Sequence, residues 1–402
     1  MKILYLTADL PLPADQGGKL RSLALIRAAA EHHQVDLLSF ARHEPSPEAR
    51  AELDRICHTV RTVPAPRARP LPIRAWQLFF DAMPDIAHRL DSGAYRSALW
   101  EMLEAERYDV IQIEGLEMMP YLGTTRSQER AAVVYDAFNA EMYLQRTIWQ
   151  TEFRDPRHWL GALYSMTQWS KLGTYERVTM NGTHMVLAVS PEDAAKLKGR
   201  HVDPVLVPNG IDTVAIPFRQ PALEPGRTLL FLGPLDYRPN ADAVRWLVSR
   251  ILPEVRQRIP EARLRLIGRG SERIHAPGVE ALGYVEDIAA ELERADAIVV
   301  PMRMGGGVRF KVLEAMAAGI PLVTTPRGIA GVVAEHGRHV LIARGAADFA
   351  EAVVQTLEDR VGARDRAKLA RLLVEGRYDW RKITPGYLQA LTSARRLARS
   401  VR

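Results

Sequence analysis

The chain has 402 residues, 47% of them apolar and 25% charged, which is long enough for two domains of ordinary size and excludes disordered, collagen-like and fibrous classes. Its one cysteine, Cys57, excludes a disulfide framework and any cysteine-built metal centre. The net charge of +6 suits an anionic partner and is unevenly spread, with 21 basic against 23 acidic residues in 1–190 and 33 against 25 in 191–402. The opening MKILYLTADLP pairs a short apolar run with Asp9 and two prolines, so it reads as a first buried strand rather than a signal peptide. No apolar run reaches the roughly 18 residues of a membrane-spanning helix, and no block of consecutive Lys or Arg marks a nucleic-acid arm.

Short β-branched or Leu-rich runs then alternate with longer amphipathic stretches. Strands are expected at 2–6, 35–39, 110–113, 132–136 and 185–190, and again at 205–207, 228–233, 263–268, 297–301 and 321–324. This rhythm reads as βαβ units and parallel sheets, and runs such as AIVVP suit strands buried on both faces. Two successive doubly wound α/β domains follow, one over 1–190 and one over 191–384. The Trp-rich stretch 146–178, carrying Trp149, Trp159 and Trp169, reads as a packed helix pair or as an acceptor- or membrane-contacting surface. The C-terminal stretch, ending ARRLARSVR, reads as a basic amphipathic helix.

The most informative stretch is AIVVPMRMGGGVRFKVLEAMAAGIPLVTT, residues 297–325. A buried strand ends at Pro301, and a loop with Gly305, Gly306 and Gly307 follows. A helix is expected over 308–318, stopped by Gly319 and Pro321. A strand, a glycine-rich loop and a helix N-terminus at the carboxyl edge of a parallel sheet favour a phosphate. Arg309 and Lys311 stand in the first turn, where the helix dipole disfavours cations unless an anion neutralises them. Glu314, one turn on, is spaced to accept hydrogen bonds from a ribose diol. The alternative is a glycine hinge with a surface Lys311–Glu314 pair. There is no G-x-G-x-x-G after the first strand, and GGKLRS at 17–22 lacks the upstream glycine of a P-loop.

In order and spacing, Gly17–Gly18, VPNGID at 207–212, FLGPLDYRPNADAVRWL at 231–247, LIGRG at 266–270, LGYVED at 282–287 and GGGVRFKVLEAMAAGIPLVTT at 305–325 resemble a family-4-type retaining glycosyltransferase. The resemblance covers nearly the whole chain. Within that group it is most similar to bacterial exopolysaccharide transferases, including those linked to the PEP-CTERM/exosortase system. It implies the GT-B fold, in which two doubly wound parallel-sheet domains face each other across a cleft, with a final helix at about 385–402 packing back on the first. It also implies a nucleotide-diphosphate sugar donor (UDP-, GDP- or dTDP-linked) held by the second domain. A saccharide or lipid-linked acceptor would be held by the first.

The resemblance also assigns roles. Glu314 matches the second glutamate of the family's E-x7-E motif, while Gly306 stands where the first belongs, leaving Gly306 and Gly307 amides to hold the donor. Arg309 and Lys311 become the candidates for stabilising the diphosphate. Gly233 opens the loop where the family offers an Arg and a Lys; here Arg238 serves as the Arg and Asn240 replaces the Lys. Gly17 and Gly18 match the loop that approaches the diphosphate or acceptor, and Tyr284 and Val285 match the segment that reads the base. Glu114 stands near the family's histidine after the strand, as an orienting group or base. Asp136, Asn139 and Glu141 resemble a D-x-H-N-x-E pattern with Phe138 for His, on the acceptor side. No D-x-D marks a metal site, and neither a metal nor a further cofactor is expected. The setting implied is cytoplasmic, with peripheral contact at the inner membrane face. A non-catalytic scaffold and a sugar-nucleotide epimerase are the competing readings.

Overall fold

The computed structural model describes residues 1–153, 159–199, 203–304 and 309–400. It divides into two units, Met1–Pro208 with Ile383–Arg402, and Asn209–Lys382. The first unit carries a seven-stranded sheet ordered β3-β2-β1-β4-β5-β6-β7. Its strands are β1 (Lys2–Thr7), β2 (Gln34–Ala41), β3 (Thr59–Pro64), β4 (Val110–Glu114), β5 (Ala132–Ala137), β6 (Met185–Ala188) and β7 (Val205–Leu206). The second carries six, ordered β10-β9-β8-β11-β12-β13: β8 (Thr228–Leu232), β9 (Arg263–Ile267), β10 (Val279–Gly283), β11 (Ala297–Val300), β12 (Leu322–Thr324) and β13 (Leu341–Ile342). Every pairing within both sheets is parallel. In each unit the strand order reverses beside the first strand, β1 or β8, which is where doubly wound sheets open a crevice at their carboxyl ends.

The central strands are buried on both faces. Every residue of β4, β5 and β11 is inaccessible, as the continuous apolar runs require. Each unit has its own core, one around Leu4, Leu6, Ile113 and Tyr135, the other around Leu230, Phe231, Val299 and Val353.

Three edge strands, β3, β10 and β13, lie outside the runs expected from the sequence. β10 is VEALG and mostly half-buried, with Glu280 breaking its apolar residues, so it has no apolar run to betray it. The boundary expected at 190 falls instead at Pro208, and 205–207, expected to open the second domain, pairs as β7 with β6 of the first sheet. The cause is Arg21, which lies in the helix Gly17–Ala30. Its Nη1 donates to the carbonyls of Val207 and Pro208, at 2.9 and 3.3 Å, and ties the connecting segment to the first unit. The same guanidinium grips Asp136 at the end of β5 through two bonds of 2.8 and 2.7 Å.

The final helix, Trp380–Ser400, belongs from Ile383 onward to the first unit. It buries Tyr387 and Leu391, while Arg395 and Arg399 reach Asp109 at 2.8 and 3.5 Å. The Trp-rich stretch forms two helices, Glu141–Glu152 and Trp159–Asn181, with Trp149 stacked on Trp169 at 5.6 Å between ring centroids. Residues 154–158 between them are outside the described residues.

The Arg21–Asp136 pair is nearly sealed, with Arg21 1% and Asp136 0% exposed. Removing one partner strands a buried charge, so Arg21→Met is expected to cost the first unit about 3–5 kcal/mol, and the double substitution Arg21→Met/Asp136→Leu to recover most of it. Urea denaturation of the three proteins checks this; an unshifted single variant would show that the pair does not hold the unit together.

Candidate functional site

In the second unit the site is built on two glycines at the carboxyl ends of β8 and β9. Gly233 has φ +146° and Gly268 φ +137°, conformations that L side chains rarely adopt. Their backbones touch: a Cβ on Gly268 would lie 2.3 Å from the Gly233 carbonyl oxygen. A Cβ on Gly233 would lie 2.7 Å from the Lys311 ammonium and 2.6 Å from the Asn240 amide. Glycine is therefore demanded by the protein at both positions. At Gly18 it is not, since a Cβ there would meet only the Phe138 ring at an ordinary 3.5 Å.

Lys311 enters from the first turn of the helix Phe310–Ala318, whose N-cap residue is Arg309. The helix thus starts two residues later than the expected 308, and Arg309 precedes it. Lys311 does not pair on the surface with Glu314. Its ammonium donates to Asn240 Oδ1 at 3.1 Å and sits 4.5 Å from the centre of the Phe231 ring. Asn240 is fixed in turn by donating from Nδ2 to the Pro234 carbonyl at 2.9 Å. Arg309 donates to the carbonyls of Arg327 and Met304, at 2.6 and 3.3 Å, and so brackets the glycine loop. Gly306 and Gly307 of that loop lie outside the described residues.

Burial, reinforced by the charge of Arg309 and opposed by Glu314, pushes the Lys311 ammonium down to about 7. Burial likewise raises Glu314, with Lys311 opposing. Two half-buried cations, neither bonded to a carboxylate among the described residues, are costly to hold side by side.

Next to this floor, an open pocket of about 880 Å³ is lined by Leu235 and Asp236 after β8, Arg269 and Gly270 after β9, Glu272, Arg273 and Ile274, and Leu282, Gly283 and Tyr284 at β10. Tyr284 lies exposed on its rim, and Val285 packs against the core beneath. Arg238 is the exposed first residue of the helix Arg238–Trp246. The sequence reading missed Gly268, Arg269 and Arg273. LIGRG carries the first two, and the glycine that follows a strand there was the available signal.

In the first unit the predicted residues divide. Gly17 and Gly18 open the helix Gly17–Ala30. Asp136 is wholly enclosed and both its oxygens are taken by Arg21. Glu114, at the end of β4, is also enclosed; Ser22 Oγ donates to one oxygen and Gln112 Nε2 to the other, the latter at 3.2 Å. Gln112 receives Tyr387 OH at 2.7 Å from the final helix, which fixes the amide so that its NH₂ faces Glu114. Burial and the nearby Asp136 charge raise the Glu114 carboxyl well above the usual range.

Glu141 falls in a different group. Asn139 donates to it at 3.2 Å, and its own amide donates to Glu176 at 2.9 Å. Burial, then Glu117 and Glu176, push Glu141 up to about 8; burial puts Glu176 at about 7 and raises Glu117. Glu117 and Glu176 were missed. Glu117 stands within YDVIQIEGLEM three residues past Glu114, whereas Glu176 carries no sequence signal in its long helix. Among the described residues, no group of three His, Cys, Asp or Glu side chains can hold a metal ion.

Two families match the chain in sequence. That described as "Glycosyltransferase Family 4" matches residues 17–215, and that described as "Glycosyl transferases group 1" matches 226–359. The chain is 23% identical over 398 residues to an "Uncharacterized 44.6 kDa protein in cps region" of Klebsiella pneumoniae, covering 95% of this chain and 97% of that one. It is 31% identical over 208 residues to the glycogen synthase of Mycobacterium tuberculosis, covering 48% of this chain and 49% of that enzyme, so the match spans about half the relative's length. Among solved structures, the sucrose-phosphate synthase of Thermosynechococcus elongatus superposes with a TM-score of 0.71 at 17% identity, covering 98% of this chain and 99% of that one. Anabaena HepE in complex with UDP-glucose gives 0.63 at 16% identity, covering 98% and 100%.

The Lys311 environment sets a pH dependence. An unfolded lysine titrates near ~10.4, and the folded one near 7. Between those values the unfolded state binds the extra proton, so stability rises with pH across the window, by at most about 1.4 kcal/mol per pH unit. Lys311→Met should remove that slope and be the more stable protein by about 1 kcal/mol below pH 7. Melting temperatures of both proteins from pH 6 to 9 check this, and parallel curves would refute it.

Proposed function

The chain is a glycosyltransferase with the GT-B fold, and we propose that it moves a sugar, with retention of anomeric configuration, from a nucleotide-diphosphate donor to a saccharide or lipid-linked acceptor. The observation that carries the reading is the pair of half-buried cations, Lys311 against Gly233 and Arg309 near it, neither bonded to a carboxylate among the described residues. An anion with two phosphates is the ligand that relieves them. The diphosphate takes the glycine floor and the N-terminus of the helix Phe310–Ala318, and Glu314 takes the ribose diol. The base lies in the pocket under Tyr284 and Val285, with Arg238 guarding the loop after β8. Gly306 and Gly307 hold the donor sugar, and Gly17 and Gly18 offer a backbone bare of side chains at the N-terminus of the helix Gly17–Ala30. The UDP-glucose carried by Anabaena HepE supports this class of donor, with UDP-, GDP- and dTDP-sugars the ones to test.

The bond between the sugar C1 and the β-phosphate oxygen breaks, the bond to the acceptor oxygen forms on the same face, and the acceptor proton passes to the leaving phosphate. Negative charge grows on that phosphate, and preorganised donors aimed at it are what the protein supplies. On the acceptor side, Asn139 and Glu141 bind hydroxyls with Glu117 and Glu176 beside them. Glu114 orients the site, and Asp136 acts through Arg21 rather than by contact. The enzyme works where nucleotide sugars are made, in the cytoplasm, in polysaccharide or glycoconjugate synthesis; an exosortase-linked role rests on motif likeness alone.

Arg309→Ala and Lys311→Ala should each lower kcat about 10²–10³-fold while the fold persists. Binding of UDP at pH 8 should draw protons onto Lys311, read by calorimetry in buffers of different ionisation enthalpy. Full turnover in both variants would sink the assignment. Thermal stabilisation by a donor without transfer or hydrolysis would indicate a scaffold, and interconversion of sugar nucleotides an epimerase.

A further inference from the structure

The helix Leu71–Phe80, sequence LPIRAWQLFF, buries none of its ten residues. Leu71 is 76% exposed, Trp76 60%, Phe79 61% and Phe80 74%. Ile73, Trp76 and Phe80 follow one another at i, i+3 and i+7 and form a stripe, with the Trp76 and Phe80 rings 6.1 Å apart. The helix is nonetheless firmly seated. Lys171 donates to the carbonyls of Gln77 and Leu78, at 2.9 and 2.8 Å, and Arg69 pairs with Asp85 at 2.7 Å. Its C-terminal carbonyls are thus tied to the helix Trp159–Asn181, and its aromatic side chains face out. Soluble proteins rarely leave such a patch uncovered unless something binds it. A mostly apolar pocket of about 300 Å³ lies against it, bordered by Leu71, Leu78, Met83 and Tyr164.

The chain leading into and through the stripe carries only basic charge, while Asp81 follows it and Asp85 pairs with Arg69 and, at 3.8 Å, with Arg74, which stays half exposed. Residues 59–80 hold Arg61, Arg67, Arg69 and Arg74 and no Asp or Glu. Aromatic residues on one face with arginines beside them are the composition of a helix that lies in the plane of a bilayer interface. Of the two segments that the sequence offers for membrane contact, the final helix is engaged and the Trp-rich stretch is engaged in part, Trp159 staying 58% exposed. The final helix turns Ile383, Tyr387 and Leu391 into the first unit, and Trp149 and Trp169 stack on each other. A second copy is the poorer occupant, because a symmetric pairing through this face would set the same arginines against each other.

We propose that the helix Leu71–Phe80 is a membrane-surface anchor, inserting Ile73, Trp76, Phe79 and Phe80 into a bilayer whose anionic headgroups meet Arg67 and Arg74. Among the described residues no helix is long and apolar enough to cross a membrane, so the attachment is to one face. The inference stands apart from the donor site and survives if that site is misassigned.

The test is co-sedimentation of the full chain with phosphatidylcholine vesicles, with and without phosphatidylglycerol. The chain should bind the anionic vesicles and bind the neutral ones several-fold less. Trp76→Ser/Phe80→Ser should lower binding at least about tenfold with an unchanged melting temperature, since both side chains are exposed. Arg67→Glu/Arg74→Glu should weaken binding to anionic vesicles only. Failure of the wild-type chain to bind, or wild-type binding by the Trp76→Ser/Phe80→Ser variant, would overturn the proposal. So would light scattering that shows a dimer dispersed by the same two substitutions, which would make the patch a contact between copies.

Discussion

The candidate site of the second unit is shaped by the close contact between two backbones, those of Gly233 and Gly268. Adjacent parallel strands end there, and no side chain fits between them: the Gly268 Cβ position falls 2.3 Å from the Gly233 carbonyl. The contact leaves a floor made of main chain only, over which Lys311 and Asn240 close in. Lys311 is steadied by an amide oxygen and an aromatic face, neither of which neutralises its charge. Burial, with the Arg309 charge, therefore outweighs the opposing Glu314, which brings the lysine down to about 7. An approaching anion would reverse that balance, drawing the proton back and gaining a partner that is already in position.

The first unit deals with buried charge in the opposite way. Arg21 and Asp136 cancel each other inside the sheet, and the same arginine fastens Val207 and Pro208. One ion pair thus holds a helix, a strand end and the exit of the chain from the unit. Glu114 is kept by hydrogen bonds instead, through Gln112 to Tyr387 on the final helix and on to Tyr5. Since Tyr387 donates to the Gln112 oxygen, the amide has only one orientation left in which to serve Glu114. The last helix is in this sense part of the first unit's interior, which accounts for its burying an apolar face despite a basic end.

Much of this was legible in the sequence. Central strands are buried on both faces, so they announce themselves as apolar runs, and the helix Phe310–Ala318 with its stop at Gly319 follows from its periodicity. What was hidden depends on pairing across long separations. β7 has two residues and no pattern of its own, and only its hydrogen bonding to β6 and the grip of Arg21 assign it to the first sheet. Asp136 is expected on the acceptor side because it opens a stretch resembling D-x-H-N-x-E; its burial is decided by an arginine 115 positions away. Glu176 and Glu141 lie 35 residues apart and meet only because two helices fold together. The exposed helix Leu71–Phe80 has the composition of a core helix, and nothing local to it tells that no core covers it.

The substitution of Asn240 for the family's lysine first reads as a lost cation, and with the missing glutamate at Gly306 it favours a scaffold that no longer reacts. The geometry changes the weight of that argument. Asn240 does not stand alone; it receives Lys311, whose ammonium lies close to Gly233. A cation is therefore present beside the loop after β8 although Asn240 carries no charge. A protein that only displayed a fold would gain stability by replacing a desolvated lysine with an apolar residue. Keeping the lysine there, with Arg309 beside it lowering its proton affinity further, is understandable where an anion regularly occupies the site.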